Sequence, residues 1–422
     1  MTAPTLRREL GKWDLTAMGV NVVIGGAIFL MPKEVASQIG AWSWIAVGLV
    51  GVLAMLIALN FAEAGSRFEG TGGPYLYTRE AFGRFVGFEV GWMVWATRVT
   101  SWASIANGLA TALGFYWPGV RAGTPRTIAI TTVVIAVTAI NMRGIKQSAF
   151  FVNALTVGKL LPLVLFVIFG LPHLSGAALV PNAGVTWTQV STATLYLIFT
   201  YGGYEIIPVF AGEAKNPTRM VPFAMVTAIL VVATVMTSVQ MVALGTLPGI
   251  ATSATPLADA ASLFMGPWGA LLITTGAVVS MTGNNLGGSL TGSRMLFALS
   301  EQRDLPAVFS RVHPVYQTPT FAIAVTSLVT WGLALFSSFA TLALASGVAR
   351  LLVYAGTCAS VLALRRVSRA PFTIAGGPIV PVLALALSIA ILYGVTAAQL
   401  RVGLIFMAVG AVLYVVAPRG KS

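Results

Sequence analysis

Apolar runs of 17 or more residues recur along the whole chain, separated by short segments that gather the charges. Each run is long enough to cross the roughly 30 Å of hydrocarbon in a bilayer. The pattern predicts twelve helical spans, at 14–38, 43–67, 86–116, 126–142, 149–171, 190–212, 221–246, 267–298, 319–338, 341–364, 374–396 and 402–418. An even number of spans puts both termini on one side of the membrane. No soluble domain interrupts the series, so residues 1–422 read as a single transmembrane domain. The N-terminal stretch MTAPTLRRELGKWD lacks the pattern of a cleavable signal peptide.

Composition agrees with this reading. Hydrophobic residues make up 57% of the chain and charged residues only 9%, against about 25% charged in soluble domains. The net charge of +13 first suggests nucleic acid, but its distribution points elsewhere. With a cytoplasmic N-terminus, the inner loops receive Arg7, Arg8, Lys12, Arg67, Arg79, Arg84, Arg143 and most of the later basic residues. Only Lys33, Arg121, Arg126 and Arg401 fall outside. That asymmetry is the positive-inside rule, so the expected partner is lipid and no nucleic acid. It also implies a multi-pass protein of the cell (inner) membrane with cytoplasmic termini. A single cysteine, Cys358, and two distant histidines, His173 and His313, offer no metal cluster or hydrolytic triad. No phosphate-binding G-x-x-x-x-G-K-[ST] loop is found either. The chain is expected to be no enzyme and to carry no cofactor and no metal.

The spans repeat. Residues 14–171 and 190–364 form two five-span halves, followed by two additional spans at 374–418. Gly25-Gly26 interrupts span 1, and Gly202-Gly203 interrupts span 6, the first span of each half. Five spans per half force opposite orientations, and matched interruptions in inverted halves point to a transporter site at the bilayer midplane. A broken helix exposes N–H groups that attract a carboxylate and carbonyls that attract an ammonium. A zwitterionic amino acid needs both. Each glycine pair is also what close helix packing would use.

Four stretches carry a resemblance to a known family: VIGGAIFLMP (23–32), GTGGPYLYTREAFGRFVGFEVGW (70–92), YGGYEIIPVFAGEAKNPTRMVPFA (201–224) and GSRMLFALSEQRDLP (292–306). They resemble the amino acid–polyamine–organocation (APC) transporters. The resemblance implies an all-α membrane protein of LeuT-type fold: twelve transmembrane helices, a 5+5 inverted repeat, and discontinuous helices 1 and 6. By position it implies that the substrate carboxylate faces the N–H groups of Gly25, Gly26 and Ala27. The α-amino group would face carbonyls of Ile24, Phe199 and Gly202, with Thr200 and Gly203 in the same cradle. Phe199 matches the aromatic gate. The third glycine of the family's first-span signature is Ala27 here, and an added Cβ restricts positive φ.

Ionisable residues inside a membrane mark function by default. Lys159 lies near the middle of span 5, and its stem of roughly 6 Å is too short to reach the interface. In several APC relatives without sodium coupling, a lysine here occupies the place of the cation that bridges spans 1 and 8. By that likeness its amine is expected near Ser280 to Gly283, as a proton carrier or as a static brace. Glu205 matches an acidic position tied to pH dependence, or it caps the second half of span 6. Arg98 in span 3 lines the cavity or pairs with a carboxylate such as Glu205, and Arg350 is a candidate for an internal network. Trp92, Trp95 and Trp102 read as packing residues of span 3. Asn284 and Asn285 in span 8 bond across helices or reach the substrate.

These readings converge on a secondary active amino acid transporter working by alternating access, sodium-independent, and proton-coupled or an exchanger. A small or neutral amino acid is the expected substrate. The competing class is a membrane channel or receptor for small amines or amino acids.

Overall fold

The computed structural model describes residues 11–68, 72–143, 149–181, 184–205, 207 and 215–416. These form fourteen α-helices and no strand. In chain order they are α1 (Lys12–Val23), α2 (Met31–Ile39), α3 (Ser43–Gly65), α4 (Pro74–Phe82), α5 (Arg84–Leu113), α6 (Gly123–Met142) and α7 (Ala149–Gly170). Then follow α8 (Trp187–Tyr201), α9 (Pro217–Thr246), α10 (Pro256–Glu301), α11 (Thr320–Phe336), α12 (Phe339–Leu364), α13 (Ile379–Gly394) and α14 (Ala397–Val416). Among the described residues, six helical segments are long and apolar enough to cross a membrane, and three shorter ones are also apolar.

Local sequence explains most boundaries. Thr186 caps α8: its Oγ1 accepts from the Gln189 N–H at 3.3 Å, and its own N–H donates to Gln189 Oε1 at 2.9 Å. Ser338 caps α12 by accepting from the Thr341 N–H at 3.2 Å. Gly83, at φ 88, ends α4 and starts α5, a turn open to glycine because it has no Cβ. Gly266 (φ 65) bends α10, so the expected span from 267 begins just after it. Inside the spans, hydroxyls return their hydrogen bonds to the preceding turn, as Thr97 does to Met93 O and Thr100 to Ala96 O.

Two packing groups emerge. Helices α1 and α3 pack on α9, while α2 and α3 pack on α8. Helix α5 packs on α10, α11 and α12, and α11 packs on α6 and α10. Helix α7 bridges the groups, touching α9 and α10. Small residues set the closest approaches: a Cβ on Gly276 of α10 would meet Pro162 of α7 at 2.8 Å, and one on Gly51 of α3 would meet Ala233 of α9 at 2.9 Å. The outer faces carry bare apolar side chains, such as Ile128 and Ile135 on α6 and Leu404 and Val412 on α14. An apolar exterior of this kind suits lipid.

One polar cluster ties loops to helices. Asp304, 2% exposed, accepts from Tyr75 Oη at 2.7 Å and pairs with Arg84 at 2.5 Å and Arg79 at 3.4 Å. It thereby fastens the end of α10 to α4 and α5. Asp304→Asn is expected to cost about 2 kcal/mol, the range for hydrogen bonds to a charged group, with substrate affinity unchanged. Cys358 is the one cysteine of the chain and is fully buried, so a thiol-reactive dye reads unfolding directly.

Candidate functional site

Both glycine pairs sit where a helix stops. Helix α1 ends at Val23, Ile24 takes φ −72 and ψ 81, and Gly25 is extended at φ −96 and ψ −168. A short 3-10 turn, Gly26–Phe29, then leads into α2. Helix α8 ends at Tyr201, where Gly202 (ψ 146) and Gly203 (φ 132) leave helical geometry. The expected second half of span 6 falls mostly on residues 206 and 208–214, outside those described. All four glycines sit in close contacts rather than open space. A Cβ on Gly25 would strike the Asn284 amide, one on Gly26 would strike Met281, and one on Gly202 would strike the Arg350 guanidinium. Gly203 lies against the Val22 backbone.

The breaks face a shared cavity of about 190 Å³, room for roughly six waters at about 30 Å³ each. Gly25, Ala27, Phe199, Thr200, Gly202 and Gly203 line it. From the facing helices come Arg98, Ser101 and Trp102 of α5, Lys159 of α7, Ser280, Gly283 and Asn284 of α10, and Arg350 of α12. Ile24 and Gly26 are buried behind this surface. Ala27 sits in the 3-10 turn and is absent from the residues of positive φ, so its methyl group imposes no backbone strain. Phe199 meets Phe339 edge-on, with ring centroids 6.2 Å apart. Its carbonyl accepts the Gly202 N–H at 3.3 Å.

Lys159 is 7% exposed, and its ammonium donates to the Asn21 carbonyl in the last turns of α1. It shares the cavity with Ser280 and Gly283, but its hydrogen bond among the described residues goes to α1. Ser280 Oγ is buried without a partner among the described residues.

Glu205 is the hub of a buried polar network. Oε1 accepts from Arg98 Nη2 at 3.2 Å and from Arg350 Nη1; Oε2 accepts from the Gly203 N–H at 2.8 Å and from Tyr354 Oη at 3.3 Å. One carboxylate thus bonds both guanidiniums and the backbone break after α8 at once, as a charge away from water needs partners. Arg98, Arg350 and Thr291 also line a second cavity of about 550 Å³, toward Gly72, Arg294 and Gln317. The Arg98–Glu205–Arg350 network stands between the two spaces.

A family profile described as amino acid permease matches residues 10–417. The chain belongs to the amino acid permease family. The resemblance to APC transporters therefore holds over nearly the whole permease. Three relatives come from Bacillus subtilis (strain 168). A methylthioribose transporter is 27% identical over 440 residues, covering 99% of this chain and 95% of its own. A serine/threonine exchanger is 29% identical, covering 76% of this chain and 74% of its own. A glutamate/serine transporter is 28% identical, covering 86% and 72%. Membership removes the channel or receptor alternative.

Several residues around these cavities of the permease escaped sequence reasoning. Asn21 carried a signal, an amide in an apolar span. Tyr354 and Ser101 carried none, because their roles depend on which helices meet. Glu89 in α5 is buried, and both its oxygens lack a partner among the described residues.

Proposed function

We propose that this permease carries an amino acid through the central cavity by alternating access between two helix groups. The observation that carries the reading is the meeting of two helix breaks, at Ile24–Gly25 and Gly202–Gly203, on one small cavity. Twelve spans and a 5+5 inverted repeat, 14–171 and 190–364 with two further helices, account for that meeting. In this reading α1, α2, α3, α8 and α9 rock against α5, α6, α10 and α11. The N–H of Ala27 faces the substrate carboxylate, the Gly25 N–H being donated to Val23 O at 2.7 Å, and Phe199 closes over the substrate. The 550 Å³ cavity is the cytoplasmic vestibule, the Arg98–Glu205–Arg350 network its floor. Serine, threonine and glutamate in the relatives' names support an amino acid as cargo.

Lys159 takes the place of a coupling cation by holding α1 at Asn21, so transport is sodium-independent. Purified protein in liposomes is expected to exchange an internal amino acid for a labelled external one equally well in sodium and in choline. Lys159→Ala is expected to lower exchange at least tenfold. Absence of saturable exchange across an amino acid panel sinks the transporter reading, and strict sodium dependence sinks the role of Lys159. Accumulation driven by an inward proton gradient distinguishes a proton symporter from an obligate exchanger.

A further inference from the structure

The three ionisable side chains that line the central cavity, Arg98, Lys159 and Arg350, are all basic. Among the described residues Glu205 supplies the only carboxylate bonded to them, and it already accepts from four donors. Two guanidiniums against one carboxylate leave a surplus positive charge before Lys159 is counted. Two donor-only atoms are also left over. Arg350 Nε and Trp102 Nε1 are buried without a partner among the described residues, on residues 3% and 1% exposed. Groups that can only donate call for an acceptor, and a buried unpaired cation calls for an anion.

The span-6 break sharpens the point. The Arg350 guanidinium fills the space that a Cβ on Gly202 would occupy. A substrate ammonium resting on the Gly202 carbonyl would lie beside that cation. A neutral zwitterion therefore gains its carboxylate contact and meets repulsion at its amine. A second carboxylate changes the balance, because it brings a net negative charge that offsets the surplus between the two guanidiniums and Glu205. It can also take the paired N–H groups of a guanidinium.

From these placements we infer that the central cavity selects acidic amino acids, the side-chain carboxylate bonding Arg98 and Arg350. This rests on the amino acid transport reading and replaces the expected neutral substrate with an anionic one. Wild-type protein in liposomes loaded with glutamate is the test, with uptake of labelled glutamate competed by glutamate, aspartate, glutamine, asparagine, serine and glutarate. Glutamate and aspartate are expected to compete at least tenfold better than their amides. Arg98→Gln is expected to shrink that ratio to about twofold, while Arg98→Lys retains more of it. Arg98 makes the longer bond to Glu205 and is the more exposed of the two arginines, so its variants preserve the Arg350–Glu205 pair. If the same liposomes loaded with serine exchange serine but the acidic amino acids fail to compete, the inference falls and the transporter reading stands. Glutarate matching glutamate keeps the carboxylate site and overturns the amino acid reading. No exchange of any amino acid overturns both.

Discussion

Glu205→Ala is expected to cut exchange at least a hundredfold and to cost about 3–5 kcal/mol of stability, as removal of one member of a buried ion pair does. The carboxylate is 9% exposed, and its arginine partners have side chains 15% and 4% exposed. Deleting it leaves two guanidiniums facing each other with no countercharge, and the Gly203 N–H without its acceptor. Glu205→Gln separates these effects. Its amide oxygen still accepts from Gly203, but the charge is gone, so stability is expected to recover only in part. The double variant Glu205→Ala, Arg98→Ala is expected to be more stable than Glu205→Ala alone, because it also removes one of the stranded cations. Dye labelling of Cys358 during a thermal ramp measures all four proteins. A Glu205→Ala protein that melts and exchanges like wild type would show that the network is ornamental.

That network marks how far the chain could be read before it was folded. Arg98 pairing with Glu205 was among the readings open from sequence, since charges stranded in apolar spans must find each other. Arg350 was open to an internal network, but neither its depth nor its seat against Gly202 could be read. That contact depends on α12 crossing the end of α8, about 150 positions earlier in the chain. Helix breaks were legible because glycine acts locally on the backbone. The packing of Gly26 on Met281 and of Gly25 on Asn284 was not, because it depends on how α10 crosses the first break. Lys159 illustrates the same limit. Its depth followed from the span, whereas its bond to Asn21 depends on how α7 packs between α9 and α10. Span limits were read closely where caps or glycines punctuate, as at Gly266. They were read loosely at α13, which runs from Ile379 to Gly394 where 374–396 was expected.

The second large effect concerns the two breaks themselves, and it sets Gly203→Ala against Ala27→Gly. Gly203 has φ 132, and a Cβ there would lie 3.1 Å from Val22 O and 3.2 Å from Val22 C. A left-handed backbone alone costs a residue with a Cβ about 1–2 kcal/mol. The contact adds to this, because Val22 is backbone of α1 and cannot rotate away as a side chain would. Relief requires the two breaks to separate, which would spoil the cavity between them and leave Glu205 aimed at a displaced N–H. Gly203→Ala is therefore expected to reduce exchange at least tenfold and to lower the melting temperature clearly. Ala27→Gly tests the opposite case. Its backbone is a 3-10 turn without positive φ, so glycine gains no freedom that the turn needs. The variant is expected to lose about 1 kcal/mol, the usual cost of glycine against alanine in a helix, and to keep its substrate affinity within about twofold. A large gain in affinity from Ala27→Gly would mean that the methyl group obstructs the carboxylate, and that the first break is less complete as a cradle than its geometry indicates.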